Sequence, residues 1–166
     1  KDKNELRADV TSFANAGGGD LIFGVDEAGG VATAVPGLPG VDADAEIRAQ
    51  TAKIFGDAPK ARIDDSALVA LLRDPSPRVR VRAALAAGKR GTTTAFDALV
   101  AWATDAGSDP VIRQAIAIGL AGCARSEQLA ALRASASPAV RAAAVVALRR
   151  QTSPLVQVFL DDPELL

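Results

Sequence analysis

Ser76-Pro77-Arg78-Val79-Arg80 is a five-residue stretch that occurs twice more, as Asp109-Pro110-Val111-Ile112-Arg113 and as Ser137-Pro138-Ala139-Val140-Arg141. Each copy reads Ser or Asp, Pro, any residue, a β-branched apolar residue, and Arg. A Ser or Asp side chain at an N-cap accepts a hydrogen bond from a free backbone N–H. Proline fits the first helical position, where its missing N–H costs nothing. The stretch therefore predicts a helix start.

The spacing of the prolines predicts a degenerate repeat. Successive prolines of the motif are 33 and 28 residues apart, and Asp162-Pro163-Glu164-Leu165 gives a fourth predicted start 25 residues later. An apolar run of helical length follows each complete copy, and a second amphipathic stretch precedes it. The first set of predicted helices is Val79 to Ala87, Ile112 to Ala121 and Val140 to Leu148. The second set is Ala67 to Arg73, Ala95 to Thr104, Glu127 to Ala134 and Pro154 to Leu160. The sequence thus predicts stacked helical hairpins over 63–166, about three complete and one truncated.

The repeat resembles the HEAT-like repeats of bacterial proteins, of the phycobilisome-lyase type, over about residues 65–166. The resemblance rests on 68–80, Leu-Val-Ala-Leu-Leu-Arg-Asp-Pro-Ser-Pro-Arg-Val-Arg, and on its two later copies. It implies an all-α solenoid that presents a surface for protein–protein binding. Residues 134–166 also resemble the helical segment of large secreted bacterial dehydrogenase-like proteins. That second resemblance implies a scaffold part of such a protein.

The last residue of each motif copy is an arginine, at Arg80, Arg113 and Arg141. The three arginines could form a ladder that binds an anionic partner. We favour a structural role, in which each guanidinium bonds to carbonyls or acidic groups of an adjacent turn. Trp102 is interpreted as packed between helices, and Cys123 as a small buried side chain.

Residues 1–58 differ in pattern and predict an α+β segment of helix, hairpin and helix ahead of the all-α solenoid. Asn4 to Ala14 carries an apolar stripe at helical spacing, and Asp20 to Val25 is a short apolar run typical of a strand. Val31 to Val35 is predicted to return as the second strand of a hairpin, after a turn at 26–30. An acidic residue, Asp42 or Asp44, is predicted to cap a last helix that reaches Phe55.

Residues 12–26 read Ser-Phe-Ala-Asn-Ala-Gly-Gly-Gly-Asp-Leu-Ile-Phe-Gly-Val-Asp. They resemble part of the Schlafen/AlbA-type DNA-binding domain, and the resemblance extends to about residue 56. It implies nucleic-acid binding through a turn whose candidate residues are Asn15, Gly18, Gly19, Gly24 and Asp26. The strand that precedes the first helix in that family is missing here. DNA binding through this segment is therefore the alternative to a protein-binding solenoid.

Composition excludes several classes of chemical site. There is no His and a single Cys, so the chain has no internal disulfide, no His or Cys metal site and no Ser-His-Asp triad. Residues 1–60 carry a charge of 6 − 10 = −4 and residues 61–166 a charge of 13 − 10 = +3, so neither part has a strong basic excess. We predict no catalytic residues, no metal and no cofactor.

The sequence therefore predicts a non-enzymatic interaction module, interpreted as a fragment of a larger protein. Its expected partner is a protein, with DNA as the alternative and no membrane. We also expect self-association through an uncapped last repeat at Leu165-Leu166, because an unfinished solenoid exposes apolar surface. The Schlafen/AlbA resemblance points to the cytoplasm and the dehydrogenase resemblance to secretion.

Overall fold

A computed structural model of the protein describes residues 26–28, 31–34, 43–57, 65–105 and 109–165. The chain divides into two compact units, residues 1–41 and residues 42–166. In the first unit, strand β1 (Asp26–Ala28) pairs antiparallel with β2 (Val31–Ala34). Residues 26–28 were predicted to belong to the turn of this hairpin, and the structure has them in β1 instead. The helix and the strand predicted before Asp26 lie outside the described residues.

The second unit alternates long and short helices. The long helices are α1 (Ala43–Asp57), α3 (Pro77–Arg90), α5 (Pro110–Cys123) and α7 (Pro138–Arg150). The short helices are α2 (Asp65–Leu71), α4 (Phe96–Asp105) and α6 (Ser126–Ala131). A single 3₁₀ turn at Thr93–Ala95 precedes α4, and another at Leu132–Ala134 follows α6. Each long helix packs on the next long helix along the chain, and we call these four the inner helices.

The motif copies start three of the inner helices. Asp109 Oδ1 accepts hydrogen bonds from the N–H groups of Val111 and Ile112, and Ser137 Oγ accepts from the N–H of Val140. Proline occupies the first turn in α3, α5 and α7. The three predicted starts are therefore confirmed, with the capping side chain and the proline acting together at Asp109 and Ser137. The predicted side-chain cap is not formed at Ser76, where proline alone marks the start of α3.

Helix α1 lies in the compact unit of the array and packs along α3. Its residues Ala49 and Ala52 are buried in that contact. The sequence analysis placed these residues in the N-terminal segment 1–58. The difference arises because α1 lacks the proline of the motif, although Asp44-Ala45-Glu46-Ile47-Arg48 otherwise follows its pattern.

Small residues let the inner helices approach closely. A Cβ atom added to Gly122 of α5 would lie 2.0 Å from the carbonyl oxygen of Gly88 in α3. A Cβ on Gly88 would lie 2.7 Å from the carbonyl oxygen of Ile118, and one on Gly56 would lie 2.8 Å from the Cα of Ala86. The α1–α3 and α3–α5 contacts therefore depend on glycine at the crossing points.

The main hydrophobic core lies between the inner helices and the short helices, and Ala45, Ala49 and Val79 form a second, smaller cluster between α1 and α3. The fully buried large side chains of the main core include Leu99, Ile116, Leu120, Leu129 and Leu148. Cys123 and Trp102 are also buried. Residues 154–159 form a 3₁₀ helix and not the α-helix predicted there, and Phe159 of this segment closes the end of the core. Among the described residues, no helix has the length and apolar content needed to cross a membrane.

Candidate interaction surface

The predicted nucleic-acid turn lies largely outside the described residues. Asn15, Gly18, Gly19 and Gly24 are not described, and Asp26 is the first residue of β1, where it pairs with Ala34. DNA binding through this turn stays a prediction from the sequence.

Arg141 forms the most extensive set of polar contacts at a motif position. It is buried, and its Nε donates to Asp162 Oδ2 at 2.5 Å while its Nη2 donates to Asp162 Oδ1 at 3.3 Å. Nη1 donates to the carbonyl oxygen of Ser135 at 2.8 Å, and Nη2 also bonds to Glu164. The Arg141 guanidinium holds the pKa of Asp162 below its ordinary value. This side chain therefore ties α7 to the turns on both sides of it.

Arg48 forms the same kind of pair one repeat earlier than the predicted motif. Its Nε donates to Asp74 Oδ2 at 2.6 Å and its Nη2 to Asp74 Oδ1 at 3.2 Å. This arginine lowers the pKa of the buried Asp74 carboxyl. The sequence analysis missed Arg48 because Ala45 replaces the motif proline. The arginine ladder thus consists of Arg48, Arg80, Arg113 and Arg141.

The aspartate that binds a ladder arginine occupies the same position in each of the two turns concerned. Asp74 lies two residues before the N-cap Ser76 and accepts a hydrogen bond from its N–H at 2.9 Å. Asp162 accepts in the same way from the N–H of Glu164 at 3.1 Å. Asp162 is therefore the repeat equivalent of Asp74. The predicted helix start at Asp162 is wrong for the described residues, because the Asp162 carboxylate binds the arginine and residues 163–165 form a turn.

Arg80 bonds to its own turn and stacks on an aromatic ring. Its Nη1 donates to the carbonyl oxygen of Asp74 at 2.9 Å, as Arg141 does to Ser135. The guanidinium carbon lies 5.3 Å from the ring centroid of Trp102, a cation–π distance. Its Nε is buried with no hydrogen-bond partner among the described residues. The residue that corresponds to Asp74 in the following turn is Gly107, which lies outside the described residues.

Arg113 differs from the other ladder residues. It is exposed, and its side chain makes no hydrogen bond or ion pair with any residue that the structure describes. The place of Asp74 in its following turn is taken by Ser135, whose Oγ accepts from the N–H of Ser137 at 3.2 Å. The serine hydroxyl accepts the same hydrogen bond within the turn as the aspartate does, but serine has no second oxygen that could accept from an arginine. Among the described residues, polar contacts therefore support the expected structural role at Arg80 and Arg141 but not at Arg113.

Apolar side chains of the inner helices form a continuous strip on one side of the array. A shallow groove between α3 and α5 is lined by Val81, Leu85, Val111 and Ile118. A second groove, of about 280 Å³, lies between α5 and α7 and has Ala117, Ala142 and Val146 in its walls. Both grooves share Pro110 and Gln114. We call this strip the inner-helix surface, and Val111 and Val146 are among its exposed residues.

Replacing Arg141 by Leu is expected to lower the thermal midpoint by several degrees, because Asp162 is then left buried without its cation. The matched change Arg113→Leu removes no described polar contact and is expected to leave the midpoint almost unchanged. Thermal unfolding followed by circular dichroism measures both variants. Adding Asp162→Leu to Arg141→Leu should recover part of the loss, and equal midpoints for the two single variants would contradict the assignment.

Acid is expected to destabilise the array through Asp74 and Asp162. Both carboxyls have a lowered pKa in the folded chain, so the unfolded chain binds more protons as the pH falls. Their contribution is complete above the unfolded pKa of about 3.9 and is lost as the pH falls through the folded values. Urea midpoints between pH 7 and pH 3 should fall only at the acid end. The double variant Asp74→Asn/Asp162→Asn should be less stable at pH 7 and change less with acid; an unchanged slope would exclude these two groups as the cause.

Comparison with known proteins gives one match. The family of HEAT repeats matches residues 34–121, which contain α1 to α4, all but the last two residues of α5, and the lining of the α3–α5 groove. No curated protein and no solved structure matches the chain. The phycobilisome-lyase type and the Schlafen/AlbA resemblance therefore stay predictions from the sequence. Because the match spans more than half of the 166 residues, and because the array consists of paired helices in tandem, the chain belongs to the family of HEAT repeats.

Proposed function

We propose that the chain is a non-enzymatic module that binds another protein on its inner-helix surface. The observation that carries the proposal is the continuity of that surface, since two apolar grooves meet at Pro110 and Gln114. Stacked repeats bury their core between layers and leave an extended face for a partner. Contiguous exposed apolar surface of this kind marks interaction sites.

The chemistry of the described side chains supports binding and not turnover. Cys123 is buried, and burial raises the pKa of its thiol to about 11, so it is a protonated and weak nucleophile at neutral pH. Asp74 and Asp162, two carboxyls whose pKa is lowered, are held by arginines in turns of the array. Those two carboxylates stabilise the fold, and neither lines the α3–α5 or the α5–α7 groove.

Site-specific photocrosslinking tests the proposal. A photoreactive amino acid is placed at Val111 or at Val146, and for comparison at the exposed Glu127 of α6. We expect both inner-helix positions to crosslink the same protein and Glu127 not to. The crosslinked protein should then bind the purified module, and Val111→Glu should abolish that binding. Identical crosslinks from all three positions, or binding unaffected by Val111→Glu, would refute an inner-helix site.

The alternatives of DNA binding and of a scaffold within a secreted dehydrogenase-like protein stay predictions from the sequence. The first rests on residues 12–26, and the second on the pattern of residues 134–166.

A further inference from the structure

We propose that the groove between α5 and α7 binds a protein segment in which an apolar side chain stands next to a carboxylate, and that Arg113 binds this carboxylate. The inference rests on the proposed function and names the chemistry of the partner. The observations behind it are the contacts of the other ladder arginines, the residue that replaces their aspartate, and the lining of the groove.

The chain itself shows what a ladder arginine binds. At Arg48 and at Arg141 the Nε and Nη2 atoms face the two oxygens of one aspartate, at 2.6 and 3.2 Å in the first pair and 2.5 and 3.3 Å in the second. Two parallel N–H···O bonds to one carboxylate are the strong and directional mode of arginine recognition. The same helical position in two repeats therefore binds a carboxylate through the same edge of the guanidinium.

The third of these positions lacks its carboxylate. Ser135 stands where Asp74 and Asp162 stand in the other two turns, and its hydroxyl is engaged with the N–H of Ser137. Arg113 consequently extends from α5 as an exposed guanidinium with no described partner. A carboxylate from another molecule would complete at Arg113 the pair that the chain completes by itself at Arg48 and Arg141.

The groove beside Arg113 supplies the apolar half of the site. Its walls are formed by alanines of α4, α5 and α7 together with Pro110, Gln114, Ile116 and Val146, and Arg113 is the charged residue among the described residues that line it. Its volume of about 280 Å³ lies near the lower end of the range of ligand sites, which suits a side chain and not a folded domain. Charge and shape therefore both favour a short apolar and acidic segment.

The electrostatics of the adjoining surface agree with an acidic partner. Arg149 and Arg150 lie beside Val146 at the edge of the groove, and both are exposed. An acidic segment that lies in the groove, from Arg113 of α5 to the C-terminal end of α7, meets positive charge at both ends of the groove. Opposite charges at the rim mainly raise the rate of encounter, whereas the Arg113 pair and the buried apolar side chain set the affinity.

Nuclear magnetic resonance titration of the ¹⁵N-labelled chain tests the inference. The probe is a pool of blocked hexapeptides in which Leu, Ile, Val or Phe stands next to Asp or Glu. A matched pool carries Asn or Gln in place of the acidic residue. We expect the acidic pool to shift the amide signals of Ala117, Ala142 and Val146, and the matched pool to bind about tenfold more weakly.

Two arginine variants give the matched control. Arg113→Gln should reduce binding of the acidic pool to the level of the neutral pool, and Arg125→Gln, at another exposed arginine, should leave it unchanged. Equal shifts with both pools, or shifts with acetate alone equal to those with the peptides, would overturn the inference. Peptide binding elsewhere on the inner-helix surface would overturn it and leave the proposed function intact. Failure of the photocrosslinking experiment would refute the proposed function whatever the peptides do.

Discussion

Replacing Leu99 by Ala is expected to lower the free energy of unfolding by about 2 to 5 kcal/mol. Leu99 is fully buried in α4, and its two terminal methyl groups fill the space above Gly119 of α5. Removing them creates a cavity that the glycine cannot fill. The expected loss of stability is the sum of two terms, the transfer free energy of the removed leucine atoms and the cost of the unfilled space.

Urea unfolding followed by circular dichroism measures this change. The control is Leu160→Ala, since Leu160 is 65% exposed and its truncation should change stability by no more than about 0.5 kcal/mol. A Leu99→Ala variant as stable as Leu160→Ala would mean that α4 does not pack on α5 in the way described.

The second large effect is expected at the crossing of α3 and α5. Gly122→Leu should cost about 3 kcal/mol or more, because its Cβ would fall 2.0 Å from the carbonyl oxygen of Gly88 and the two helices must separate. Leucine is the better helix former by roughly 1 kcal/mol, which opposes the loss without cancelling it.

Ala101→Leu is the matched small-to-large change, since Ala101 is exposed on α4. We expect its thermal midpoint to stay near that of the parent chain, while Gly122→Leu unfolds at a clearly lower temperature. Should Gly122→Leu instead be neutral or stabilising, as helix propensity alone would make it, the close approach of α3 and α5 would be excluded.

The local features of the fold were predictable because they depend on neighbouring residues. The N-cap at Asp109 and the proline after it fix the start of α5 whatever packs against it. The same reasoning missed the repeat of α1, where Ala45 takes the place of the proline. The 3₁₀ form of residues 154–159 was also missed, since Pro154 and Ser153 start either kind of helix equally well.

The candidate site was less predictable because it depends on residues far apart in sequence. The Arg48–Asp74 and Arg141–Asp162 pairs join residues 26 and 21 positions apart. Aligning the turns, and not only the helix starts, would have placed Asp74, Gly107, Ser135 and Asp162 in one column and shown that the turns after Arg80 and Arg113 lack the aspartate. The groove between α5 and α7 follows from how the two helices pack, and no pattern in the sequence indicates its width.

The central claim is that Arg113 is the exposed ladder arginine without a carboxylate, while Arg48 and Arg141 hold theirs. Exchange of the arginine Nε protons with water, measured by nuclear magnetic resonance on the free chain and assigned with single Arg→Lys variants, tests this directly. We expect slow exchange for Arg48 and Arg141 and fast exchange for Arg113. An Arg113 proton as slowly exchanging as that of Arg141 would contradict it.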